Sequence, residues 1–378
     1  MTTTPNTMTA AVLTGFGGLD KLEVRHDVPV PLVGPSDVLI RVGACGINNT
    51  DINTRAGWYN ASVRVGTTRE GGLTGFDLKE SEQSGGGGVG EGADFEFPRI
   101  QGADVAGAII GVGSAVSKDR IGERVLIDPL VRPIGVSENQ QKNCYLGNGI
   151  DGGFAELCCV PSINAKAVRI DMSAEELATF PCSSSTAELL MVKGSVSPED
   201  VVIITGASGG VGSAAVQLAK RRGAFVIAIT TEEKSEFVEK LGPDTILLRD
   251  TEGLVKAVRD SSPNNGIDVV VDVVGGDNFK LWVKCLRPGG RYLTSGAIAG
   301  PIVELDLRLL YLKDLTLIGA TELPAAVFES LIGYIENKEI QPVLAEVFPL
   351  NKIHDAQRAF LEKKHCGNIV IVPSPRQI

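Results

Sequence analysis

Three groups of residues in this chain have types and spacings that could do chemistry. The densest is Gly206-Ala207-Ser208-Gly209-Gly210-Val211-Gly212. It follows a β-branched apolar run, Val201-Val202-Ile203-Ile204, that reads as a buried strand. It precedes a helical pattern through Ala214, Val216, Leu218 and Ala219 that stops at Lys220-Arg221-Arg222 and Gly223. Strand, glycine turn and helix bring backbone N–H groups and a helix N-terminus against a pyrophosphate. Gly206, Ser208, Gly209, Gly210, Val211 and Gly212 are therefore candidates to hold a dinucleotide. Their glycines recur as GxxGxxG instead of GxGxxG, and a tight strand–helix turn without a ligand has the same spacing.

The second group lies where the next strand, Phe225–Thr230, should end beside an adenine ribose. Enzymes that use NAD place an acidic residue there for the 2′-hydroxyl. Here the position is Thr230, followed by Thr231-Glu232-Glu233-Lys234. A hydroxyl leaves room for a phosphate and Lys234 supplies charge, which favours NADPH. Thr230 and Glu233 also have the spacing of a helix capping box. The third group is Asn48-Asn49-Thr50-Asp51-Ile52-Asn53 with Gly57-Trp58-Tyr59 behind it, an amide, a carboxylate and a phenol in one short segment.

The elements that must position these groups follow from periodicity. Strand patterns at 201–205, 225–230, 245–248, 267–274, 291–295 and 315–318 alternate with helical patterns at 211–222, 232–241, 252–260 and 277–286. That alternation predicts a parallel sheet wrapped by helices. Before it, residues 8–43 and 100–157 read as short strands between Gly and Pro turns. Ser173-Ala174-Glu175-Glu176 has capping-box spacing and opens a helical pattern that runs past Pro181. After it come helices near 323–337 and 351–363 and a strand at 369–372. Residues 60–97, with Gly85–Gly88 and many polar side chains, read as a mobile insertion.

Bulk composition narrows the classes. The chain has 378 residues, 43% hydrophobic and 22% charged, as in a globular protein of more than one domain. A net charge of −10 argues against nucleic acid or an anionic membrane as partner. No apolar run approaches the roughly 20 residues of a membrane span, and the first residues carry no basic-then-apolar leader pattern. Seven cysteines without a C-x-x-C pair read as reduced thiols in a cytoplasmic protein.

Taken together, the strand-rich N-terminal part, the Rossmann unit with GASGGVG and the short return segment resemble the medium-chain dehydrogenase/reductase superfamily. Within it the chain is most similar to the zinc-free quinone oxidoreductase (zeta-crystallin) and enoyl reductase branches. The resemblance covers nearly the whole chain outside 60–97. It implies an α/β fold: a Rossmann dinucleotide-binding domain over 184–318, and a GroES-like, strand-rich substrate domain over 1–183 and 319–378. It also implies cofactor contacts at Thr186, at Val274 and Gly275 after the fourth strand, and at Gly296 and Ala297 after the fifth. In the quinone-reductase branch a lysine placed as Lys234 contacts the NADP 2′-phosphate, and Arg249 stands where a partner tyrosine often sits.

Zinc alcohol dehydrogenases of that superfamily bind a catalytic metal through Cys, His and Cys plus water. The resemblance matches those positions to Asn48, to Ala103 of Gly102-Ala103-Asp104, and to Cys182. Of these only Cys182 is a residue type that can bind zinc, and one cysteine is no zinc site. His26, His354 and His365 lie elsewhere and read as surface residues. The loop near 130–146, where relatives keep four structural cysteines, has only Cys144. No metal is expected.

Asn48–Asn53 with Gly57-Trp58-Tyr59 looks like the N-x-x-D…G-x-Y segment of enoyl-thioester reductases, which implies a substrate-binding role for Asn48, Trp58 and Tyr59. The expected reaction is hydride transfer from NADPH to the β-carbon of an α,β-unsaturated carbonyl, or to a quinone. Asn48 and Tyr59 would polarise the carbonyl oxygen, and Tyr59 or water would deliver the proton. Asp51 and Asp104 read as braces for loops. Two other readings stay open: a carbonyl or alcohol dehydrogenase with a degenerate metal site, and a non-catalytic NADPH-binding protein. The expected partners are a small-molecule substrate and a second copy of the chain, as a homodimer.

Overall fold

A parallel sheet buried on both faces needs near-continuous apolar strands, whereas an antiparallel sheet can alternate. Both patterns are present. The computed structural model describes residues 6–78, 95–132, 143–263 and 266–373. It divides into two compact units: Met1–Val63, Arg69–Cys182 and Leu344–Ile378 form the first, Arg64–Thr68 and Ser183–Val343 the second.

The first unit is built on the strand Asp37–Ile47, which runs antiparallel to Asp104–Val112, Leu157–Pro161 and Asn368–Val372 in a seven-stranded sheet. Its register sets Gly46 opposite Asp104 and Ile47 opposite Ile369. The strand therefore ends with Asn48 beside the start of the Asp104 strand. Asn48 then caps the helix Asn49–Ala56, which Gly57 terminates in the left-handed region at φ 76°.

In the second unit the strands Val201–Ile204, Phe225–Thr230, Thr245–Leu248, Ile267–Asp272, Leu286–Thr294 and Thr316–Gly319 form a six-stranded parallel sheet. Numbered along the chain, their spatial order is 3-2-1-4-5-6, the doubly wound Rossmann order. Val201–Ile204 and Ile267–Asp272 are buried at every residue. Phe279, Trp282 and Tyr292 fill the core on one face, with Phe279 and Tyr292 in an edge contact at 5.0 Å.

The structure departs from the sequence expectations in five places. The insertion is ordered at its flanks: Arg69–Thr74 is helical, Phe76 N–H donates to Ala56 O, and Phe95 and Phe97 pack on Phe16. These apolar anchors were hidden by the surrounding polar composition; Gly85–Gly88 lies outside the described residues. The helix expected to run past Pro181 is two helices, Ala174–Leu177 and Pro181–Lys193. Pro181 lacks an N–H and begins the second one.

The chain returns to the first unit at Leu344, not 319. The helix Ala325–Glu336 stays with the Rossmann unit because Tyr334 stacks under Arg221 and its hydroxyl donates to the buried Glu188. His354 is half-buried with Nε2 2.5 Å from Leu22 O, so it is not a surface residue. Finally Thr231, not Thr230, caps the helix Glu232–Glu239.

Candidate active site

In the first unit, four groups form one chain of hydrogen bonds. Asn48 Nδ2 donates to Asp104 Oδ2 at 2.6 Å, the Cys182 N–H donates to Asp104 Oδ1, and the Tyr145 hydroxyl donates to Cys182 Sγ at 3.1 Å. Asp51 braces the other side: it accepts from Asn48 N at 2.8 Å and from Gly102 N at 3.2 Å. Gly46 lets Asp104 approach, because a Cβ there would lie 2.7 Å from Asp104 Oδ2 and from Ala178 O.

Burial pushes Asp104 up to about 7, against hydrogen bonds from Asn48 and Cys182 that favour the carboxylate. Burial likewise raises Asp51 to about 7, and the charge of Asp104 adds to it. Neither carboxyl has a cation in its hydrogen bonds. Both tie neighbouring segments together through the hydrogen bonds they accept.

Tyr59 ends the segment. The residue is 39% exposed and its ring meets Trp58 edge-on at 5.4 Å, while its oxygen takes hydrogen bonds from the side chains of Thr50 and Asn53. Asn48, Trp58 and Tyr59 thus lie on one turn-and-helix segment. Tyr145, which sequence reasoning missed, joins them from a two-residue strand, Cys144–Tyr145. No periodicity marks so short a strand.

In the second unit, the glycine turn sits at the carboxyl end of the first strand. Gly206 has φ +58°, and Gly209 caps the helix Gly210–Arg221 without a side chain. The first-turn N–H groups of that helix are left for an anion. A Cβ on Gly212 would lie 2.1 Å from Gly206 O, so the turn closes only with glycine there. A Cβ on Gly209 would meet only Gly206 O, at 3.5 Å, which leaves space in front of the helix.

Val274, Gly275, Gly296 and Ala297 stand at the carboxyl ends of the fourth and fifth strands, and Val274 packs against Gly206. Asp272, unremarked in the sequence, ties this region together. It accepts from Thr205 Oγ1 and Tyr292 OH at 2.6 Å each, from Val274 N at 2.9 Å and from Gly275 N at 3.1 Å. Its one sequence signal is a carboxylate closing the buried run Ile-Asp-Val-Val-Val-Asp. Thr186 is half-buried on the helix Pro181–Lys193.

Thr230 is 4% exposed and its hydroxyl has no partner among the described residues. Arg249 N–H donates to Thr230 O at 2.9 Å, so the two residues adjoin. Glu233 lies among the same groups: the Thr231 hydroxyl first, then Arg249 and Lys234, hold its carboxylate below the usual range. An orphaned buried hydroxyl, an uncapped helix N-terminus and two nearby cations fit a phosphorylated dinucleotide.

A zinc ion does not fit the first unit's cluster. Asn48 commits an amide proton to Asp104, Ala103 offers only a methyl group, and Cys182 is a single thiol. Among the described residues no group of three or more His, Cys, Asp or Glu is placed to hold a metal.

Comparison with known proteins places this geometry. The alcohol dehydrogenase GroES-like domain matches residues 34–171 and the zinc-binding dehydrogenase domain matches residues 210–337. The crystal structure of a candidate alcohol dehydrogenase from Sinorhizobium meliloti 1021 is similar at 41% identity and TM-score 0.86, covering 98% of each chain. The acryloyl-coenzyme A reductase of Sulfurisphaera tokodaii is 26% identical over 97% of this chain and 100% of its own. The synaptic vesicle membrane protein VAT-1 homolog of Homo sapiens is 26% identical over 97% of this chain and 86% of its own. The chain belongs to the medium-chain dehydrogenase/reductase superfamily. It is an oxidoreductase of that superfamily. Among the described residues no helix is long and apolar enough to cross a membrane.

Proposed function

We propose that this protein is a zinc-independent, NADPH-dependent reductase that adds hydride to the β-carbon of an α,β-unsaturated carbonyl, enone or enoyl thioester, or to a quinone. The observation that carries the reading is the Asn48–Asp104 hydrogen bond at 2.6 Å. Where zinc relatives keep metal ligands, this chain has a hydrogen-bonding amide locked to a carboxyl. A polarising amide suits a carbonyl whose charge develops on oxygen more than an alcohol that needs a Lewis acid. The name of the Sulfurisphaera relative supports enoyl reduction, while that of the Sinorhizobium protein favours the alcohol dehydrogenase alternative.

On this reading Gly206, Ser208, Gly209, Gly210, Val211 and Gly212 hold the diphosphate. Thr230, Lys234 and Arg249 hold the 2′-phosphate. Thr186, Val274, Gly275, Gly296 and Ala297 lie along the rest of the dinucleotide. When bound, NADPH supplies the hydride. Asn48, oriented by Asp104 and Asp51, donates to the substrate carbonyl, with Trp58 and Tyr59 lining the substrate. The protein works as a cytoplasmic homodimer with no nucleic-acid or membrane partner. A screen of NADPH oxidation with enones, enoyl thioesters, quinones and ketones tests the reading. Turnover of conjugated carbonyls or quinones is expected. Turnover of ketones alone, or of nothing while NADPH still binds, would sink it in favour of the dehydrogenase or the binding protein.

A further inference from the structure

The chain Asn48–Asp104–Cys182–Tyr145 ends in a donor that the reading above leaves unused. The Tyr145 hydroxyl rests on Cys182 Sγ at 3.1 Å. A thiol sulfur is a weak acceptor and a phenol a good donor. Exchanging that sulfur for an oxygen that gains negative charge costs little and forms a stronger, charge-assisted bond. Position is fixed from both sides. Tyr145 pairs with Leu130 across its short strand, and Asp104 grips the Cys182 N–H with one oxygen and the Asn48 amide with the other.

We infer that Tyr145 is a substrate-binding hydrogen-bond donor whose O–H turns from Cys182 Sγ to the carbonyl oxygen of an α,β-unsaturated substrate, beside the Asn48 amide. Cys182 is its resting acceptor and Asp104 a positioning residue. The inference rests on the reductase reading. As hydride adds to the β-carbon, the C=C pair shifts to the bond between the α-carbon and the carbonyl carbon. The C=O pair moves onto oxygen, and the enolate oxygen accepts hydrogen bonds from Tyr145 and Asn48. Tyr145 keeps its proton. Water then protonates the α-carbon, the C=O re-forms, and the hydroxide left takes a proton from solvent. The step consumes one hydride, from the reduced nicotinamide, and one proton. Burial holds the Tyr145 phenol well above its ordinary value, so it remains a donor across the neutral range.

The test uses the full chain and 4-(dimethylamino)cinnamaldehyde, whose absorption moves to longer wavelength when its carbonyl is polarised. The wild type is expected to shift the bound chromophore, and Tyr145→Phe to lose the shift. For an enone substrate, Tyr145→Phe should lower kcat about tenfold or more, with a smaller change in KM. Cys182→Ala, which removes the resting acceptor, should keep the shift. Cys182→Ser, a stronger acceptor, should hold the hydroxyl back and fall between the two. A Tyr145→Phe protein with wild-type melting temperature, full shift and full kcat would overturn the inference, as would an unshifted chromophore bound to wild type. A wild type that shifts the chromophore yet reduces no conjugated carbonyl would overturn the reductase reading and leave the Tyr145 contact standing.

Discussion

Asp104 is a carboxyl kept in the interior by hydrogen-bond donors instead of a cation, and its pH behaviour follows. Its folded value of about 7 exceeds the ordinary carboxylate value of 3.8. The folded state therefore binds a proton more tightly than the unfolded state, and the stability from that proton is full below about 4 and lost as pH rises through about 7. Asp104→Asn removes the titration. Its unfolding midpoint in denaturant, compared with wild type, should improve between pH 5 and pH 8, and an unchanging difference would contradict the assignment.

The same scale governs cofactor choice. Lys234→Ala should lower the NADPH-over-NADH preference by about tenfold, the loss of a charge-assisted bond to phosphate. Glu233→Gln should raise it about 2- to 5-fold, because a carboxylate beside Lys234 and Arg249 competes for their charge. Ratios of kcat/KM for the two cofactors measure both. That the second strand ends at Thr230 was legible in the sequence, because its apolar run stops there. Glu233 was legible only as a helix cap, since its nearness to Arg249 depends on the neighbouring strand.

At the scale of elements, two close approaches decide what the turns and helices can do. Gly212→Ala would drive a Cβ to 2.1 Å from Gly206 O and open the turn. Dinucleotide affinity should fall at least about tenfold, with about 1–3 kcal/mol of stability lost to the forced backbone shift. Fluorescence titration with NADPH and denaturant unfolding separate the two effects.

Arg55 ties the helix Asn49–Ala56 to the chain behind it. Fully buried, it donates to Gly17 O at 2.9 Å, Gly72 O at 2.6 Å and Gln357 Oε1 at 2.9 Å, and burial lowers it to about 10. Arg55→Met should cost about 2 kcal/mol or more, because these buried acceptors lose their donor. The central strands of the parallel sheet were legible to within two residues, since burial writes apolar runs, but the fifth strand starts at Leu286, five residues before the expected 291. The flanks of the insertion were not legible. Arg55, Phe95 and Phe97 reach partners far along the chain, and no local period announces them.

For the whole molecule, the return of the chain at Leu344 keeps the helix Ala325–Glu336 with the parallel sheet. The sheet ends at Thr316–Gly319, an edge strand, and Leu307, Tyr311 and Leu312 beside it are 64%, 62% and 71% exposed. We propose that a second copy covers this surface, since an unpaired edge with apolar neighbours pairs readily with its own two-fold mate. Leu312→Asp should shift the protein toward monomer in sedimentation velocity, and an unchanged dimer would contradict that placement. The fold and the cofactor turn were readable because they repeat a spacing. The Asn48–Asp104–Cys182–Tyr145 chain was not, because it joins four distant segments through a sheet register. The central claim, conjugated-carbonyl reduction without a metal, is tested most directly by NADPH oxidation with an enone after exhaustive chelation and metal analysis. Undiminished turnover by metal-free protein is the predicted result. Activity that disappears with the metal and returns on adding zinc would contradict it.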